Sequence, residues 1–202
     1  MASPVKHTTA HCRHILAGLV LGTLTAMVPA ATHAQAVIKT NLVYDATLTV
    51  NLGTEFRLAP QWTVDVSGNY NGWKLSDRRQ WRHWLIQPEV RYWLSEYRHG
   101  HFLGAHLLGG QFNAGAWKAR HGFLSNMHDR RYQGWAIGAG VAYGYSWRLG
   151  RHWDIEAEIG VGYIFRRYDT FLADRCGRKL SDDKSGNYFG PTKVAVNLVY
   201  VF

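Results

Sequence analysis

Over long stretches of this chain every second residue is apolar, and the residues between are small or polar. Across 153–166 the apolar set is Trp153, Ile155, Ala157, Ile159, Val161, Tyr163 and Phe165. The opposite parity holds Asp154, Glu156, Glu158, Gly160, Gly162 and Arg166. Across 134–147, Trp135, Ile137, Ala139, Val141, Tyr143, Tyr145 and Trp147 alternate with Gly, Ala and Ser. The same rhythm runs through Trp62, Val64, Val66, Gly68 and Tyr70, and again through Trp84, Ile86, Pro88, Val90, Tyr92 and Leu94. A repeat of two belongs to a strand; a helix repeats every 3.6 residues, and glycine at this density would weaken it badly. The chain is therefore expected to be all-β.

Composition narrows the class. With 202 residues, 21 Gly, 9 Trp and 11 Tyr but only 18% charged residues, the chain is unlike a disordered segment or a coiled coil, and its length suits one domain. A mean hydropathy of −0.25 argues against a bundle of membrane helices, which needs several apolar runs of about 20 residues. The formal charge of +9 first suggests nucleic acid.

The N-terminus redirects that suggestion. Lys6 and Arg13 precede an uncharged apolar stretch at 15–28, and small residues then lead to Thr32-His33-Ala34 before Gln35. This is the pattern of a secretory signal peptide, so residues 1–34 are expected to be cleaved and 35–202 to form the domain. An uncleaved anchor helix is the alternative, but the apolar run is short. Cys12 lies before that run, which does not indicate a lipoprotein. Cleavage would leave Cys176 as the single cysteine, unable to close an internal disulfide. Export also turns the basic excess away from intracellular nucleic acid.

Strand length and aromatic placement decide which face is inside. The alternating segments exceed the usual five or six residues of globular strands and reach the 9–11 that cross a bilayer. Tyr70, Trp84, Trp135 and Phe165 gather at one end of them, and Trp62, Tyr92, Trp147 and Trp153 at the other. Two such girdles, with apolar residues facing lipid and polar residues facing the lumen, describe an outer-membrane barrel. A soluble barrel would invert the faces. The chain ends in alternation at Val194, Val196, Leu198, Tyr200 and Phe202, which looks like the terminal strand signal read by barrel-assembly machinery.

Strands are expected near 50–59, 62–72, 83–95, 101–112, 132–148, 152–168 and 188–202, with an eighth at 37–46 making the number even. Short connections near 58–61, 95–100 and 149–151 alternate with long ones at 73–82, 113–131 and 169–187. The expected architecture is an eight-stranded antiparallel transmembrane β-barrel of outer-membrane type, termini periplasmic and long loops extracellular. One difficulty is that Leu42, Tyr44, Ala46, Leu48, Val50 and Leu52 keep one parity and no glycine marks a turn near 47–49. A single overlong first strand stays open.

Several ordered segments carry a family resemblance: Lys39-Thr40-Asn41-Leu42-Val43-Tyr44-Asp45-Ala46, then Asn51-Leu52-Gly53-Thr54-Glu55-Phe56, then 83–93 (HWLIQPEVRYW). His101-Phe102-Leu103-Gly104 and Tyr188-Phe189-Gly190-Pro191-Thr192-Lys193 complete the set. Over 37–202 the chain resembles the domain of unknown function 3575 family, small outer-membrane barrels of Bacteroidota-type bacteria. The resemblance implies an envelope role associated with fimbriae or other surface structures, and no catalytic set. Val50 departs from it, standing where proline is expected.

The site candidates follow from this frame. Inward parity assigns Glu55, Arg57, Asp65, Glu89, Arg91, Asp154, Glu156, Glu158, Arg166 and Lys193 to a lumenal charge network, which avoids unpaired buried charge. Eight strands enclose little more than their own side chains, so a narrow solute channel is the lesser reading. Loop cations Lys74, Arg78, Arg79, Arg82, Lys118, Arg120, Arg130 and Arg131 are candidates to contact lipopolysaccharide phosphates or a protein partner. A lipid-modifying enzyme would need a nucleophile beside a base. His83, His121 and His128 with Ser76 or Ser125 are available, but no motif places them together. His99 and His101 offer two metal nitrogens without an evident third ligand. No cofactor is expected.

Overall fold

The computed structural model describes residues 36–73, 80–115, 130–172 and 179–202. Eight strands alternate up and down: β1 (Ala36–Asn41), β2 (Val50–Ala59), β3 (Trp62–Asn71), β4 (Gln80–Trp93), β5 (Gly100–Gly115), β6 (Arg130–Arg148), β7 (Trp153–Leu172) and β8 (Lys179–Val201). Each pairs antiparallel with its neighbours, and β1 closes on β8 through Val37 opposite Val201 and Lys39 opposite Val199. Every strand thus has a hydrogen-bonded neighbour on both sides, which removes the free edge strands of an open sheet. Followed pair by pair around the ring, the ladders return to β1 roughly 10 residues along from their start, a stagger that goes with a strand tilt of about 40°.

The first hairpin corrects the expected strand over 37–46. The strand ends at Asn41 and a single helical turn, α1 (Leu42–Ala46), follows. The Asn41 side chain accepts the Val43 amide at 3.0 Å, the capping bond that starts a helix. Asp45 receives Thr40 Oγ1 at 2.8 Å and Asn51 Nδ2 at 2.7 Å, tying the turn to both strands. The apolar parity of Leu42, Tyr44 and Ala46 imitates a strand, but these local polar bonds win. Without a glycine, Leu48 itself takes the left-handed conformation, at φ 56°. Trp73 Nε1 and Asn71 Nδ2 both donate to its carbonyl, at 2.7 and 3.5 Å, which holds it there.

The upper ends of β4 to β8 also differ from expectation. These strands run past the aromatic rows, so the upper connections shorten to 72–79, 116–129 and 173–178. Arg82 and Arg131 accordingly stand on β4 and β6 rather than in loops. The outer face changes there from apolar to polar, through Arg82, Asn113, Gln133 and Asp169, which lie side by side in register. Backbone pairing does not require an apolar outer face, so it continues where the hydrophobic pattern stops.

The two faces of the wall are opposite in character. Outside, Leu107, Ile137, Val141, Ile159 and Val194 are all more than half exposed. Inside, Arg91 and Asp154 are 0% exposed and Glu55, Glu89 and Glu156 are 1% exposed. Two apolar groups close the lower lumen: Val37, Val199 and Val201, and Trp93, Tyr97 and Phe102. Small residues make the room for these contents. A Cβ on Gly144 would lie 2.2 Å from the Phe102 ring, and one on Gly140 2.8 Å from the His106 imidazole.

Replacing Leu48 with glycine should relieve the left-handed strain and stabilise the barrel by about 1 kcal/mol. Urea unfolding of refolded protein, followed by tryptophan fluorescence, measures this; a loss of stability would show that Leu48 is not strained.

Candidate functional site

The interior is organised around Arg91, which β4 projects into the lumen two residues after Glu89. Its guanidinium donates to Glu89 at 2.5 Å through Nε, to Glu158 at 2.7 Å through Nη2, and to Glu55 and Glu156 at 2.9 and 3.1 Å through Nη1. Only the planar fork of arginine can serve four carboxylates in different directions at once. Its carbon face lies 4.5 Å over the Phe102 ring. Lys39 on β1 pairs with Glu55, with Glu156 at 2.9 Å and with Asp65 at 3.3 Å. Lys193 on β8 pairs with Glu89 at 2.8 Å and Glu158 at 3.0 Å. These side chains come from β1, β2, β3, β4, β7 and β8, and meet across the lumen at one height.

Strand geometry explains the convergence. In β7, Glu156 and Glu158 stand on successive inward positions, and Glu89 and Arg91 do the same in β4. Glu55 and Asp65 are directly opposed across the β2–β3 ladder, a like-charge pair that needs cations beside it. Lys39 and Arg91 supply them. Three cations among five carboxylates make a dense layer in which each charge has an ion-pair partner, so the loss of any member uncovers the others.

The expected lumenal set divides. Glu55, Asp65, Glu89, Arg91, Glu156, Glu158 and Lys193 lie in this layer. Asp154 is buried lower down and takes Arg98 of the 94–99 turn, at 2.7 and 2.8 Å. Arg57 is a correction: it is exposed at the lower end of β2, donating to the Ala59 and Pro60 carbonyls and lying 5.3 Å over the Tyr97 ring. Arg166 faces the lumen as expected but stands above this layer, half-buried near the upper mouth and opposite Ala136 and Gly186. Lys39, central to the layer, was absent from the expected set. Its signal was available, since it shares parity with buried Val37 and Asn41.

The lower mouth is closed by the 94–99 turn. Arg98 takes a positive φ of 66°, and Tyr97 turns up against Trp93, edge to face at 5.8 Å. Burial pushes the Tyr97 hydroxyl well above the usual tyrosine range. His101 hydrogen-bonds the Tyr143 hydroxyl at 2.5 Å and packs on Tyr145, so it belongs to the lower aromatic row.

Of the candidate loop cations, Arg82 and Arg131 point outward just above the upper aromatic row, Arg131 lying 4.7 Å over the Phe171 ring. Lys74, Arg78, Arg79, Lys118 and Arg120 lie outside the described residues, as does the side chain of Arg130. So do the 1–34 segment, Ser76, His121, Ser125, His128 and Cys176. His83 is on the inward face of β4, its ring edge-on to Trp81 at 5.8 Å.

A closed ring of eight antiparallel strands around a cross-lumen ion-pair layer defines the class of protein. The family model described as "Protein of unknown function (DUF3575)" matches residues 19–202, and the chain belongs to that family. Neither the curated proteins nor the solved structures contain a significant match to the chain.

Replacing Arg91 with methionine should destabilise the barrel by about 3–5 kcal/mol, because it leaves buried carboxylates facing one another. Arg91→Lys should cost less, keeping the charge but losing the fork. Urea midpoints of the two variants give the comparison; equal and negligible losses would mean that the layer does not hold the barrel together.

Proposed function

We propose that this chain is an outer-membrane barrel of a Gram-negative envelope that serves a structural or interaction role, with its upper rim engaging lipopolysaccharide or a surface-assembly partner. The observation that carries this reading is the inverted polarity of the wall. A buried ionic layer sits inside a continuous outer belt of exposed Leu, Ile, Val and aromatic side chains. In water such a belt would be a severe aggregation hazard; in a bilayer it is the required surface.

The belt has the right height. Trp62 and Tyr70 mark its two edges on β3, and Tyr92 and Trp84 mark them on β4 in matching register. Eight residues span about 27 Å along a strand, or roughly 20 Å after a tilt of about 40°, close to the ~25 Å apolar band of transmembrane barrels. Neighbouring rings support each edge, Trp62 on Tyr92 and Trp153 on Tyr200, both at 5.0 Å, and Trp135 on Phe165 at 5.8 Å. Among the described residues no helix is long and apolar enough to cross a membrane, so the strands would do the crossing.

In this orientation the chain is exported by residues 1–34, inserted by the barrel-assembly machinery, and placed with both termini in the periplasm. Just above the upper aromatic edge, Arg82, Arg131 and Arg167 face outward, the last paired with Asp183. With the connecting-segment cations they would meet the phosphates of the outer leaflet. The ion pairs that cross the lumen speak for a closed barrel over a solute channel, and no catalytic step belongs to the proposal. A role beside fimbriae or another surface structure rests on the family resemblance alone.

Fractionation of cells expressing the full chain should place it in the outer membrane, with gel mobility that changes on boiling. A protein found wholly in the soluble periplasm would overturn the proposal. Replacing Arg78, Arg79, Arg130 and Arg131 with glutamine should weaken binding to lipopolysaccharide-containing vesicles about 10-fold at low salt, while the heat-modifiable band persists. Unchanged binding would remove the lipopolysaccharide contact from the account.

A further inference from the structure

At the upper aromatic edge the outer face carries a trough of about 490 Å³ over the ends of β3 to β7. Two rows of side chains on neighbouring strands line it. The lower row runs Trp84, Gln111 and Trp135; the upper row, one outward position further along each strand, runs Arg82, Asn113, Gln133 and Asp169. The two indoles are 41% and 38% exposed. Two strand spacings hold them about 10 Å apart, with Gln111 between them.

The amides are ordered along these rows. Gln111 Oε1 accepts the Trp84 indole N–H at 3.2 Å, and in the row above Gln133 Oε1 accepts Asn113 Nδ2 at 3.3 Å. Among the described residues neither glutamine Nε2 has an acceptor. Hydrocarbon is a poor neighbour for this surface, because the amides would lose water and gain nothing in its place. A phosphate is drawn by cations, yet here Arg82 at one end of the upper row is set against Asp169 at the other, with two amides between. A sugar ring satisfies both features of the trough. Its hydroxyls donate and accept, as the amides do, and its C–H face lies on an indole. The volume falls in the range of small-ligand sites, roughly 300–1,000 Å³.

We infer that this trough binds a saccharide, and, on the outer-membrane reading that supplies its source, the core sugars of lipopolysaccharide. One ring lies over Gln111 between Trp84 and Trp135. The next ring bonds to the Asn113–Gln133 amides, with Arg82 and Asp169 at its sides. Indoles and amides make this contact, so it persists when the phosphates are removed from the sugar.

The test uses the full chain held in amphipol, which has no sugar head to compete. It is titrated calorimetrically with core oligosaccharide released from lipopolysaccharide by mild acid, before and after removal of its phosphates. Saturable binding of both forms is expected, with a Kd on the order of 1 mM and the dephosphorylated form within about 3-fold of the other. Gln111→Met combined with Gln133→Met should weaken the dephosphorylated form about 10-fold. Trp135→Leu, which keeps both amides, should do the same, and heat-modifiable gel mobility shows that each variant is folded. The saccharide site is overturned if the dephosphorylated form does not saturate, if only the phosphorylated form binds, or if a folded variant keeps wild-type affinity. Because the titration is made on purified protein, its failure would leave the membrane reading standing. A chain found wholly in the soluble periplasm would instead remove lipopolysaccharide as the source and leave the measured sugar binding intact.

Discussion

The rest of this barrel depends on the pairing of Arg91 with four carboxylates. An arginine 0% exposed in a protein interior is tolerable only when its charge and its donors are all met. Glu55, Glu89, Glu156 and Glu158 meet them from three different strands, and Lys39 and Lys193 then offset much of the excess acid. Such a layer acts as a tie across the ring, joining β4 to β7 and β1 to β7, strands that are not neighbours in the wall. It also fixes register. A one-residue slip in any of the six strands that supply it would send a charge to the outer face and its outward neighbour into the layer.

The layer and the outer surface explain each other. An ordinary soluble domain spends its apolar residues on a core, but here the described core is two small clusters near the lower end and the wall of one cavity. Most of the large apolar side chains stand outside. The medium around the barrel, rather than its interior, must therefore accept them. On the proposed membrane reading, this is why the lumen can be built from charge and amide: the hydrophobic requirement moves to the bilayer side, and the interior needs only to be satisfied and filled.

How much of this was legible in the sequence depends on what period two can tell. Parity reports which side of the wall a residue faces, and on that basis Glu55, Glu89, Arg91, Glu156 and Glu158 all face inward. Parity does not report height. Arg57 shares parity with Glu55 but lies at the lower end of β2, and Arg166 shares parity with Glu158 but lies eight residues further up β7. Only the register between strands, which the sequence does not print, separates them from the ionic layer. The first hairpin was ambiguous for a related reason. Asn41, Asp45 and Asn51 make a turn through side-chain bonds, while Leu42, Tyr44 and Ala46 continue the strand rhythm across it. The outer trough is equally hidden, because Trp84, Gln111 and Trp135 share a row only through that register.

The central claim is that one face of this wall meets hydrocarbon and the other meets a packed ionic and apolar interior. Spin labels placed one at a time at positions 137 to 143 of β6, in a Cys176→Ser background reconstituted in liposomes, test it most directly. Oxygen, which concentrates in lipid, should broaden the signal at 137, 139, 141 and 143 and leave 138, 140 and 142 little affected, with a water-soluble nickel chelate weak at all seven. Chelate accessibility at 137, 139, 141 and 143 equal to that of a fully exposed surface would contradict the account.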